Sequence, residues 1–149
     1  MSQAAAKPHR PDSCYHHVGM RVSDMERSIR FYEQAFGFSV ERRYSLAHDA
    51  GVRVCFMANG NGERVELFEF PDAAPKPEFA HPDEALRAGH AHFALYVEDI
   101  DAAFNRAVAA GARVLWAPRR AELVETHTSY VADPDNNLVE FIKKNEVWG

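Results

Sequence analysis

The chain says one thing twice. "HVGMRVSD" at residues 17–24 returns as "HFALYVED" at residues 92–99. His17 and His92 are 75 residues apart, as are Asp24 and Asp99. Gly37 and Gly111 are 74 apart, and so are the pairs Val65-Glu66 and Val139-Glu140. Several landmarks at offsets of 74 or 75 residues mark an internal duplication, and a duplication allows only folds that can be assembled from two equivalent modules.

Each copy carries the same local signals. "YHHVGMRV" alternates and is rich in β-branched and aromatic residues, which predicts a strand. In "SDMERSIRFYEQAFG", Met25, Ile29, Tyr32 and Phe36 recur at helical spacing. Ser23 with Glu26 reads as a capping box, and Gly37 as the stop. "FSVERRYSL", "VRVCFMAN" and "ERVELFEF" then predict three strands, the last two joined by a "GNG" hairpin signal. The second copy repeats this order. "HAHFALYV" is its strand. A helix follows with Ile100, Phe104 and Val108 on one face and Gly111 as its stop. "ARVLWAP", "THTSYVAD" and "NLVEFIKK" complete it. The expected class is α+β, with two tandem βαβββ modules forming a curled mixed sheet.

Residues 1–13 read as a flexible tail. Residues 14–144 read as a single domain: module 1 at 15–70, a linker at 71–89 punctuated by Pro71, Pro75, Pro77 and Pro82, and module 2 at 90–144. Residues 145–149 read as a second tail. The 149-residue length suits one domain with a self-sufficient core. The net charge of −5 argues against a nucleic-acid partner. No apolar run reaches membrane-spanning length, so no membrane partner is expected. Without a secretory signal or a disulfide framework, Cys14 and Cys55 are expected to be reduced thiols in a cytoplasmic protein.

The duplication pairs His17 with His92 and Glu66 with Glu140. Both glutamates sit in strongly apolar strands, where an unpaired carboxylate is costly to hide. Strand alternation puts Glu66 on one face with Phe68 and Phe70, while Val65 and Leu67 turn to the helix side. A divalent cation held by two imidazoles and two carboxylates would offset that cost. It would leave positions open for water or substrate, as nickel, cobalt or an expanded zinc allow, with iron or manganese as further options. His16 and Glu69 are expected on the opposite faces, and His90 on the face of His92. His9, His48 and His81 are expected to face solvent. His127 and Tyr130 are candidates to line the substrate cavity, with core or rim positions as the alternative. "VERRY" at 40–44 reads as a solvated edge. "PRR" at 118–120 reads as an anion site or an exposed turn.

"HVGMRVSDMERSIRFYEQAFGF" and "VADPDNNLVEFIKK" resemble the opening and closing motifs of the vicinal-oxygen-chelate superfamily. That superfamily includes glyoxalase I, fosfomycin-resistance enzymes, extradiol dioxygenases and bleomycin-resistance proteins. The resemblance covers nearly all of residues 15–144 and lies nearest glyoxalase I-like members. It implies paired modules around a metal-containing cup, with His17, Glu66, His92 and Glu140 as ligands. It also implies a small-molecule substrate and a homodimer, with the site within one chain or between two. The expected activity is a lyase or isomerase acting on an α-hydroxycarbonyl or hemithioacetal through an enediolate, with Glu140 as base and Glu66 as its partner. Arg21 matches the arginine that contacts a glutathione carboxylate in glyoxalase I, or is an exposed strand residue. Phe70 stands where glyoxalase I carries Asn. The alternatives are an extradiol-type iron dioxygenase and a metal-free binding protein.

Overall fold

A computed structural model describes residues 15–46, 51–85, 92–121 and 126–144. The expected tails, Cys14, His9, His48 and His90 lie outside the described residues. The first module runs β1 (Val18–Val22), α1 (Met25–Phe36), β2 (Ser39–Ser45), β3 (Arg53–Ala58) and β4 (Arg64–Glu69). The second runs β5 (His92–Val97), α3 (Ile100–Ala109), β6 (Arg113–Ala121), β7 (Thr126–Ala132) and β8 (Leu138–Lys143). The described part of the connector, residues 70–85, is irregular apart from one helical turn, α2 (Pro82–Ala85).

The duplication is explicit in the pairing. One sheet has the order β1-β4-β3-β2 and the other β5-β8-β7-β6. The first strand of each module lies parallel to the last, and the remaining pairs are antiparallel. Gly19 stands opposite Glu66 and Ala94 opposite Glu140, so the register itself is duplicated.

Two local readings need correction. Asp24, not Ser23, is the N-cap of α1, accepting from the Arg27 N–H at 2.9 Å, and Asp99 caps α3 from the Ala102 N–H in the same way. Asp24 has the extended backbone that lets its carboxylate turn back onto the first turn. Ser23 instead donates to Asp135, and Glu26 pairs with Arg43. On α3 the buried stripe is Ile100, Ala103 and Ala107, and Val108 is exposed. Small residues win there because α3 lies close against α1. Gly37 ends α1 in the left-handed region, at φ 70°, as the sequence predicts.

A single core joins the modules. Met20, Val22, Cys55, Met57, Val65 and Leu67 from one sheet, Val131, Val139 and Phe141 from the other, and the inner faces of α1 and α3 form one cluster. Cys55 is a free, buried thiol within it. Phe36 of α1 meets Phe141 and Phe93 edge-on across the module boundary. The helix-covered faces therefore share a centre, and the other face of each sheet looks away from it. Among the described residues no helix is long and apolar enough to cross a membrane.

Candidate functional site

The outward face of the first sheet carries His17 and Glu66. His17 immediately precedes β1, and Glu66 is in the middle of β4. Imidazole Nε2 lies 3.1 Å from carboxylate Oε2. The Tyr44 hydroxyl, from β2, donates to the other oxygen, Oε1, at 2.7 Å. The bond to Glu66, more than burial, raises the Tyr44 phenol above its ordinary range. Gly19 keeps this corner open: a Cβ there would come within 3.2 Å of the Phe68 ring and 3.9 Å of Glu66 Oε2. His16 does not face away as expected. Its Nδ1 lies 2.9 Å from His17 Nδ1, and both rings stand edge-on to Phe56. Residues 16 and 17 precede the strand, so pleat alternation does not govern them.

The outward face of the second sheet carries the matching pair. His92 opens β5, and its Nε2 lies 2.9 Å from Glu140 Oε2. Thr128 of β7 donates to Glu140 Oε1 at 2.8 Å, and the Tyr130 hydroxyl also bonds the carboxylate. Burial pushes the Glu140 carboxyl up, but the bonds from His92, Thr128 and Tyr130 together outweigh it and hold the group below its usual value. Burial, then the neighbouring carboxylate, drives the Tyr130 phenol far above its ordinary range. Among the described residues, the buried His92 Nδ1 has no hydrogen-bond partner.

Each glutamate is thus held by an imidazole and a phenol, although the phenols come from non-equivalent strands. Tyr44 was hidden in the "VERRY" run. A register shift between Val40 and Arg42 turns Arg42 and Tyr44 together onto the face of Phe56 and Glu66. Beside the second pair, Trp116 meets Tyr130 edge-on at 5.2 Å. His81 packs edge-on to Trp116 at 4.9 Å, so the connector contributes to this wall.

The remaining candidates separate. Arg21 shares the Glu66 face, exposed, with its guanidinium 4.2 Å from the Phe70 ring centroid. Tyr130 joins Glu140 directly. His127 does not: it follows the alternation of Ser129 and Val131, toward the helix side. Glu69 is ion-paired with Arg53, off the Glu66 face as expected.

Within one chain the two His–Glu pairs remain two pairs. Among the described residues, no three His, Cys, Asp or Glu side chains gather closely enough to hold an ion. The donor chemistry of each pair nonetheless suits a divalent cation: one imidazole nitrogen and one carboxylate oxygen about 3 Å apart, the spacing of adjacent ligands on an ion with bonds of about 2.1 Å.

A family model described as the Glyoxalase/Bleomycin resistance protein/Dioxygenase superfamily matches residues 15–141. A probable lactoylglutathione lyase of Vibrio cholerae is 28% identical over 137 residues, covering 87% of this chain and 90% of the relative. A metallothiol transferase, FosB, of Shouchella clausii is 28% identical over 126 residues, covering 83% and 75%. A glyoxylase/bleomycin resistance protein/dioxygenase domain from Frankia shares the fold with a TM-score of 0.73 at 20% identity, covering 90% of this chain and 93% of that one.

Proposed function

The chain belongs to the Glyoxalase/Bleomycin resistance protein/Dioxygenase superfamily, and on that premise we propose that it is a metal-dependent lyase or isomerase of the glyoxalase I kind. Its substrate would be a small α-hydroxycarbonyl compound or a hemithioacetal. The observation that carries this reading is the duplicated His–Glu pair, His17 with Glu66 and His92 with Glu140, each on the face turned away from the core.

Two chains, not one, would complete the site. Both pairs look away from the shared core, so a second copy must bring its His92–Glu140 face against the His17–Glu66 face of the first. His17, Glu66, His92 and Glu140 would hold the ion, drawn two from each protomer, and a homodimer would carry two sites.

When bound, a divalent ion supplies Lewis-acid stabilisation of negative charge beside a carbonyl. The chain's own residues do the rest. Glu140 removes the proton from the hydroxyl-bearing carbon and delivers it to the former carbonyl carbon, while the hydroxyl proton passes to the former carbonyl oxygen. The two carbons thereby exchange oxidation level with no net gain or loss of protons or electrons. Thr128 and Tyr130 orient its carboxylate and keep it ionised. Glu66, bonded by Tyr44, stands as the opposing carboxylate. Trp116 and Tyr130 form an aromatic wall that limits water on the second side.

Elemental analysis followed by a hemithioacetal isomerisation assay tests this reading. The expected result is stoichiometric zinc, nickel or cobalt, turnover of the methylglyoxal–glutathione hemithioacetal, and loss of turnover with chelator. Iron with oxygen uptake on a catechol would replace it with the dioxygenase. Tight ligand binding with no metal requirement would replace it with the binding protein.

A further inference from the structure

The duplication makes His17 and His92 equivalent, yet their rings differ at one nitrogen. Each turns Nε2 toward the glutamate of its own module, at 3.1 Å and 2.9 Å. His17 Nδ1, on the other side of the ring, lies 2.9 Å from His16 Nδ1. His92 Nδ1 meets no such partner among the described residues. The sequence carries the same difference. His16 stands before His17, whereas Ala91, with no polar side chain, stands before His92. His16 is therefore an addition to the repeated pattern.

His16 is built into the corner that holds Glu66. Phe56 lies opposite Glu66 in the register of β3 and β4. The rings of His16 and His17 both stand edge-on to Phe56, with centroids 6.2 Å and 5.1 Å away, and Tyr44 stacks on it at 6.3 Å. Glu41, the carboxylate that shares a cleft with His16, is taken up by two bonds from Arg64. That leaves the His16 ring to His17. With its Nδ1 committed to the side of His17 remote from Glu66, His16 is placed to support a ligand.

Two neutral ring nitrogens at this distance share one proton, so one donates and the other accepts. The Glu66 carboxylate accepts from His17 Nε2–H, which makes His17 Nδ1 the acceptor and His16 Nδ1 the donor. For His17 to offer a lone pair at Nε2, the arrangement must reverse. One proton leaves His17 Nε2 for water. The shared proton crosses from His16 Nδ1 to His17 Nδ1, and the exposed His16 takes one from water at Nε2. Both rings end neutral, and the bond between them is kept. We infer that His16 is a positioning residue, which fixes the His17 ring toward Glu66 and keeps its Nδ1 bonded whichever nitrogen carries the proton. The inference rests on the proposed site and adds the residue that prepares its first histidine for the ion.

Cobalt(II) is the probe, its affinity measured by competition with a chelator. The wild type would be compared with His16→Phe, which keeps a ring against Phe56 without a nitrogen. His16→Asn, the third protein, keeps a donor and an acceptor near the place of Nδ1. Thermal midpoints should agree among the three. His16→Phe should bind cobalt about 10- to 100-fold more weakly, and His16→Asn should recover most of that loss. In nitrogen NMR spectra of metal-free protein, the His17 Nδ1 resonance should move in His16→Phe and stay near its wild-type position in His16→Asn. The inference is overturned if His16→Phe binds cobalt as tightly as the wild type, or if His16→Asn binds it no better than His16→Phe. It is equally overturned if the Nδ1 resonance is the same in all three. The expected affinities without hemithioacetal turnover would sink the proposed reaction and leave this inference standing. A wild type that takes up no cobalt, zinc or nickel would end both.

Discussion

Tyr32 of α1 donates its hydroxyl to Asp133, the first residue of the "DPDNN" turn before β8, at 3.0 Å and across 101 positions of chain. Both residues are buried, 0% and 2% exposed, so the bond ties module 1 to module 2 inside the shared core. Around it Ser28 and Arg27 bond Asp135, and Asn137 bonds both Asp133 and the Arg21 carbonyl. The two His–Glu pairs keep a fixed relation within one chain because this polar network locks the modules that carry them.

Tyr32→Phe tests the lock and its pH dependence. Burial raises the Asp133 carboxyl above its ordinary value, and the bonds from Asn137, Asp135 and Tyr32 offset only part of that. A raised folded value means that the native state binds the proton more tightly. The Asp133 contribution to stability is therefore greatest below the ordinary carboxylate value and is lost as pH rises through the folded value. Removing the phenol extends that loss. The expected cost is about 1–3 kcal/mol at neutral pH, from a buried carboxylate left one donor short. It should shrink toward pH 4 in urea unfolding. An equal cost at both pH values contradicts the assignment.

Asp24→Ala distinguishes the observed cap from the capping box. The bond from the Arg27 N–H lowers the Asp24 carboxyl, so its contribution is present above the ordinary carboxylate value and lost as pH falls through the folded one. The substitution should cost about 1 kcal/mol at pH 7 and progressively less in acid. Glu26→Gln should leave the helix cap intact, since Glu26 serves Arg43 instead.

Thr128→Val replaces the hydroxyl that holds Glu140 Oε1 with a methyl group of similar size. It should leave the circular dichroism spectrum unchanged and lower kcat about tenfold, because the carboxylate loses both a donor and its orientation. A change confined to KM would move Thr128 from the base to substrate binding.

Glu140→Gln should keep the fold and reduce turnover by roughly 10²–10⁴, the span of a lost general base. Full activity in this variant would transfer the base role to Glu66 or elsewhere.

The element order of each module, the helices α1 and α3, and the choice of His17, Glu66, His92 and Glu140 as a duplicated set are legible in the amino-acid sequence from the repeat offset and the hydrophobic patterning. The strand order within each sheet and the joining of each histidine to the glutamate of its own module are seen only in the structure. Features at irregularities are not legible in the sequence either. Tyr44, Trp116 and Arg119 reach the outward faces through register shifts that alternation cannot anticipate. His16 lies outside its strand, and His81 owes its place to how the connector packs against Trp116. That α1 and α3 would share one core, turning the two pairs away from it, depends on long-range packing such as Phe36 on Phe141, which no local pattern encodes.

Mixing two inactive variants measures the central claim most directly. Glu66→Gln and Glu140→Gln are each expected to be inactive as homodimers, because each disables both sites. In a mixed dimer assembled by co-refolding, one site receives both substitutions and the other receives none. The account predicts that mixing restores activity and one tightly bound divalent ion per mixed dimer. A mixture that forms dimers yet stays inactive and gains no ion would contradict a site shared between chains.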